Sequence, residues 1–193
     1  MVTVLWLLLL QGSIGAFDTL YYHEWRARLA ANAPHTAPEL RLHAVRAFLY
    51  AVLFSTLPWL DWHGYLVIVL VVILAAEVVI TLMDFVVEIS ARKPLGDVYA
   101  GERVTHAIMG IVYGAMMAYL LPVLRDWWSV PTSFAQRDSA APEWLRWALL
   151  SMAIGVFLSG ARDMYAALEL PNGGWPWHNA WTRVPDESSD GRR

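Results

Sequence analysis

One pattern of polar residues occurs twice in this chain and sets most of what it can fold into: D-x7-R, a linker, then E-x3-H-x6-Y. The first copy is Asp18, Arg26, Glu39, His43 and Tyr50, and the second is Asp84, Arg92, Glu102, His106 and Tyr113. Each copy straddles the place where one long apolar segment ends and the next begins. A helix hairpin made twice is the simplest reading, with repeat 1 over residues 1–60 and repeat 2 over residues 64–124.

Composition places these hairpins in a membrane. Hydrophobic residues make up 58% of the chain and charged residues 16%, for a mean hydropathy of +0.42. The apolar residues fall in blocks of about 20, the length that crosses a hydrocarbon core. The expected fold is therefore an all-α integral membrane protein of about five transmembrane helices, the first four forming an internally duplicated helix-hairpin bundle. The segments run from Val2 to near Tyr22, from Pro38 or Glu39 (with Thr36 as N-cap) to Leu60, from Gly64 to Ile89, from Gly101 to Leu124 and from Trp144 to Leu168. The first segment lacks a basic leading region, so it is expected to stay as a bundle helix rather than serve as a signal peptide. The bundle should occupy residues 1–170, and residues 171–193 hold an interfacial segment with Trp175, Trp177 and Trp181 and then a polar tail.

Charge and cysteine usage narrow the chemistry. A net charge of −3 with no basic stripe gives no footprint for nucleic acid. The absence of cysteine excludes disulfides, thiolate catalysis, iron–sulfur clusters and zinc–thiolate sites, so any metal is held by nitrogen and oxygen. Arg26, Arg28, Arg41 and Arg46 gather around the first inter-helix link, and Arg92, Lys93 and Arg103 around the third. The excess of basic residues on these links predicts an N-out, C-in orientation.

With that topology Asp18, His23, Glu39, His43, Asp84, Glu88, Glu102 and His106 all fall at one level, toward the cytoplasmic side. Arg162, Asp163 and Tyr165 of the fifth segment join them. Four residues advance about 400° around a helix, so Glu39 and His43 share a face, as do Glu102 and His106. A pseudo-two-fold axis along the membrane normal would set the two E-x3-H helices face to face. Burying so many ionisable groups costs on the order of 2.5–3.5 kcal/mol each on insertion scales, which a bound cation would offset. Asp18, Glu39, His43, Asp84, Glu102 and His106 are the candidate ligands, with His23 and Glu88 as further ligands or their hydrogen-bond partners. Arg26 and Arg92 are expected to pair with other carboxylates or with lipid phosphates.

This set of carboxylates and imidazoles resembles the sites of ferritin-like di-iron carboxylate proteins. The resemblance is to a class of site and covers the four-helix portion only, and the Glu-to-His spacing here is one residue longer than the Glu-x-x-His of that class. It implies two divalent metal ions, most naturally iron, with Asp18 and Asp84 as the carboxylates of the other two helices. Glu77 lies about 10 Å deeper than Asp84 on the same helix face and is a candidate proton carrier or polar end of a substrate channel. Tyr50 and Tyr113, two turns beyond the histidines, are candidates for redox or proton roles beside their ordinary use in packing.

The functional expectation is a membrane-embedded di-metal oxidoreductase that hydroxylates, desaturates or oxidises a lipophilic substrate with dioxygen. Its electrons would come from an external donor, because the chain holds no flavin or nicotinamide motif. Two alternatives stand beside it: a b-type haem subunit using His43 and His106 as axial ligands, and a metal-dependent lipid hydrolase. A purely structural network of ion pairs is the reading without chemistry. Membrane lipids, a homo-oligomer or a larger membrane complex are the expected partners.

Overall fold

The computed structural model describes residues 1–138 and 140–177, so His178, Trp181 and the polar tail lie outside the described residues. The described chain is mostly helical (78%). Its five α-helices are α1 (Val2–Phe17), α2 (Ala33–Thr56), α3 (Leu66–Ala91), α4 (Ala100–Trp128) and α5 (Glu143–Ala167). α1 continues without a break into a π-helical segment, Asp18–Ala27, which ends where Arg28 turns left-handed at φ 52°.

Four stretches, Val2–Ala27, Leu66–Ala91, Ala100–Trp128 and Glu143–Ala167, are long and apolar enough to cross a membrane. α2 has comparable length at 24 residues, but Glu39, Arg41, His43 and Arg46 make its first half polar. Along α3 the residues Ile68, Val72, Val79, Leu82, Val86 and Ile89 are exposed. An apolar face of that extent fits a membrane protein and would be a liability in water.

The helices pack in the order α1, α4, α3, α2, α5, with α5 closing the ring back onto α1. The most extensive pairing is α2 with α5, and among the first four helices the main pairings are α1 with α4 and α2 with α3. α5 lies most closely along α2, where a Cβ on Gly160 would come within 2.7 Å of Ala47 Cβ. A tightly packed apolar core of Leu5, Leu8, Leu53, Leu74, Met116 and Leu149, among others, fills the half of the bundle remote from the polar layer. At that far end β1 (Leu60–Trp62) pairs antiparallel with β2 (Phe134–Gln136), with Asp61 opposite Ala135. Arg137 pins this ribbon through Asp61 Oδ1 at 2.7 Å.

α2 begins at Ala33, one turn before the start expected near Pro38. Pro34 occupies the first turn, where a missing N–H costs nothing. Thr36 accordingly lies inside the helix, donating its hydroxyl to Leu29 O at 2.8 Å instead of capping the helix from outside.

Candidate metal centre

Histidines and aspartates of opposite halves meet. His106 Nε2 of α4 lies 3.1 Å from Asp18 Oδ2 at the end of α1, and His43 Nε2 of α2 lies 3.1 Å from Asp84 Oδ2 of α3. All four side chains are buried.

The π-helical segment explains a mismatch between the two copies. His23 follows Asp18 by five residues, whereas Glu88 follows Asp84 by four. In a helix whose hydrogen bonds span five residues, the fifth residue returns to the face that the fourth takes in an α-helix. His23 therefore points inward, with Nε2 3.3 Å from Asp18 Oδ2 and 3.2 Å from Glu102 Oε1. Its ring stacks on that of His43 at 4.6 Å between centroids. The extra residue also rotates the remainder of the segment, so Arg26 is turned to the surface, over the Tyr99 ring at 4.5 Å.

Arg92, its counterpart in the sequence, is only 1% exposed and sits at the middle of the polar layer. Its Nε donates to both carboxylate oxygens of Glu39, at 2.8 and 2.9 Å, and its Nη2 donates to Glu102 Oε1 at 2.8 Å. Burial opposes the charge of the guanidinium, but the two glutamates outweigh it and raise its pKa above the ordinary value. The two E-x3-H helices thus face each other across an arginine.

Among the described residues, two groups of side chains bring ligand atoms within 4.8 Å of one another: Asp18, His23 and His106, and Glu39, His43 and Asp84. The residues fit a cation, because several buried atoms there lack a hydrogen-bond partner among the described residues: Asp18 Oδ1, Asp84 Oδ1, Glu102 Oε2, Glu88 Oε2 and His106 Nδ1. Such orphans are costly in a dry interior unless something occupies them. Asp18, Glu39, Asp84, Glu88 and Glu102 are buried in one layer with the guanidinium groups of Arg92 and Arg46, five carboxyl groups to two guanidiniums.

No family model, curated protein or solved structure matches this chain. Its chemistry has to be read from the site itself.

The remaining sequence candidates lie around the two groups. Glu88 Oε2 is 3.9 Å from His106 Nδ1, on the rim of the first group. Glu102 belongs to neither group in ligand distance, being shared between His23 and Arg92. Glu77 is buried deeper in the bundle, where it accepts hydrogen bonds from Tyr50 Oη at 3.0 Å and Thr81 Oγ1 at 3.1 Å. Tyr113 donates to Leu74 O at 3.0 Å, so the two tyrosines are not equivalent. Gln11 completes this chain by donating from Nε2 to Tyr50 Oη at 3.0 Å. A lone amide inside an otherwise apolar helix is the sequence signal for it. In α5, Asp163 is buried beside the site, and Arg162 lies 3.6 Å from its Oδ1 while also donating to Glu24 and to Trp175 O. Arg46, 3.5 Å from Asp84 Oδ2, had no distinguishing signal in the sequence.

Two cavities reach this layer from opposite sides. The larger, about 620 Å³, lies between α1, α2 and α5 and meets Asp18, His23 and His43. The smaller, about 320 Å³, meets Glu77, Tyr113 and His106.

Proposed function

We propose that this protein is a membrane-embedded di-metal oxidoreductase, with iron as the metal, acting on a lipophilic substrate. The observation that carries the reading is the pair of buried histidine–carboxylate groups, adjacent through the His23–His43 stack and lined with unpartnered ligand atoms. Asp18, His23 and His106 would hold one ion, and Glu39, His43 and Asp84 the other. A pair of ferrous ions in such ligands supplies dioxygen binding and oxidation of unactivated C–H bonds or quinols. Arg92 keeps Glu39 and Glu102 oriented and lowers the net charge of the site. The Gln11–Tyr50–Glu77 chain offers a route for a proton at the deeper side of the layer. Electrons would come from a separate donor, and the Trp175 end, where that ring is exposed, is a face for docking a partner or the bilayer interface.

The four apolar helices support a membrane location, and the arginine-rich links support an N-out, C-in orientation with the site toward the cytoplasm. The equivalent His–Asp pairs support descent from a duplicated hairpin. The haem reading has less support, since Nε2 of both His43 and His106 faces an aspartate rather than an apolar slot. Hydrolysis at one metal would use the same ligands and leave half of them without a purpose.

Metal content and the visible spectrum of the detergent-purified protein test the reading. About two irons per chain with no Soret band supports it. A Soret band would move the assignment to haem, and a metal-free protein that remains folded would leave an ion-pair network centred on Arg92.

A further inference from the structure

We infer that the 620 Å³ cleft between α1, α2 and α5 is a binding site for a hydroxyl-headed lipid, admitted sideways from the bilayer with its polar end toward His23 and Asp163. The inference takes its chemical purpose from the di-metal reading, but the binding stands without it. The volume lies within the range of small-molecule sites. The mouth is formed where small residues face one another, Gly12, Gly15 and Ala16 on α1 against Ala148, Ser151 and Gly155 on α5. The two helices touch beyond it, where the rings of Trp6 and Trp144 meet edge to face at 5.3 Å. Ser151 and Gly155 are exposed, so the opening faces the surroundings of the bundle, which for these helices is lipid.

The cleft is polarised along its length. Phe54, Ala148, Met152 and Val156 line an apolar part suited to a chain, and Asp18, His23, His43, Ser159 and Asp163 line a polar part. Charge chooses the head group. Asp163 is an acid outside both ligand groups, and Arg162 of the same helix is shared between it, at 3.6 Å from Oδ1, and Glu24. Arg46, the arginine of the cleft wall, is held by Asp84. An anionic head such as a fatty carboxylate or a phosphate would meet the Asp18 and Asp163 carboxylates in a wall whose arginines are already engaged by other carboxylates. A donor is wanted instead. Gln11 Oε1, in a side chain only 3% exposed, lines the cleft without a hydrogen-bond partner. Its amide is oriented by the neighbouring bond: Tyr50 donates to Glu77, so it must accept from the Gln11 amide nitrogen, and the carbonyl oxygen is left as a free acceptor in a side chain that lines both cavities. Asp18 Oδ1 is a second unpartnered acceptor in the same wall.

The test uses the full chain in detergent or nanodiscs with two photoreactive probes of equal length, a diazirine-bearing long-chain alcohol and the matching carboxylic acid. The expected result is labelling by the alcohol concentrated on the residues of the cleft, Met152 and Phe54 among them, competed by unlabelled alcohol and not by the acid. Gly155→Trp should plug the mouth, because a Cβ at Gly155 meets nothing within 4 Å. Labelling of the cleft should fall at least tenfold while metal content stays unchanged. Ala148→Phe, from the same wall, should do likewise and covers the case in which the tryptophan variant fails to fold. Labelling spread over the exposed face of α3, or undiminished in both variants, overturns the cleft and leaves the di-metal reading intact. Equal labelling by the acid overturns the head-group assignment. Cleft labelling in a protein with no metal supports the lipid site while removing the di-metal reading.

Discussion

Asp18 and His23 stand five residues apart and yet hold their ligand atoms 3.3 Å apart, because the helix that carries them is π-wound. Their counterparts Asp84 and Glu88 are four apart on an ordinary α-helix. A wider helical turn is thus the device that lets unequal spacings supply one layer.

That device can be tested by moving the imidazole. Under the proposed function, His23→Ala should lose metal from the Asp18 group, and the double variant Tyr22→His with His23→Ala should not recover it, although four-residue spacing would suit an α-helix. Metal content by mass spectrometry decides between them. Recovery in the double variant would mean that the segment is α-helical in the functional protein.

Under the proposed function, the two His–Asp pairs at 3.1 Å would belong to two separable metal sites. Asp18→Asn and Asp84→Asn should each leave about one metal per chain, and the double variant none. Complete loss from either single variant would mean that the groups load only together.

Arg92 is held between two buried glutamates, so its removal leaves uncompensated charge. Arg92→Met should destabilise the metal-free protein by about 3–5 kcal/mol. Thermal unfolding in detergent reads this directly. Adding metal should restore part of the loss, because a cation would then neutralise Glu39 and Glu102.

Tyr50→Phe removes the hydroxyl shared by Gln11 and Glu77 while touching neither ligand group. Metal content should remain at wild-type level, with a stability cost of about 1–3 kcal/mol for the buried groups left unpaired. Under the proposed function turnover falls as well. Loss of metal in this variant would extend the site to Glu77.

Gly160→Leu probes the seat of α5 on α2. A Cβ there would already come within 2.7 Å of Ala47, and overpacking of this kind costs about 1–3 kcal/mol. Because α5 forms one wall of the cleft, the same variant should alter alcohol labelling more than metal content.

Read alone, the sequence establishes the helical segments, the shared depth of the polar residues and the identity of the side chains that gather there. Apolar run length and i, i+4 spacing are local properties, legible wherever one helix carries both members of a pair, as with Glu39 and His43. Which helices meet is settled by the packed bundle. His43 is partnered by Asp84 of the other half, 41 residues away, and no local period encodes that. The matching D-x7-R spacing suggested equivalent places for Arg26 and Arg92, yet the π turn sends one to the surface and the other to the middle of the site. The α5 wall, the buried Asp163 and the cleft beside His23 likewise depend on how α5 closes the ring. A helix carries its face in its own sequence, but its neighbour is chosen by the packing of the whole bundle.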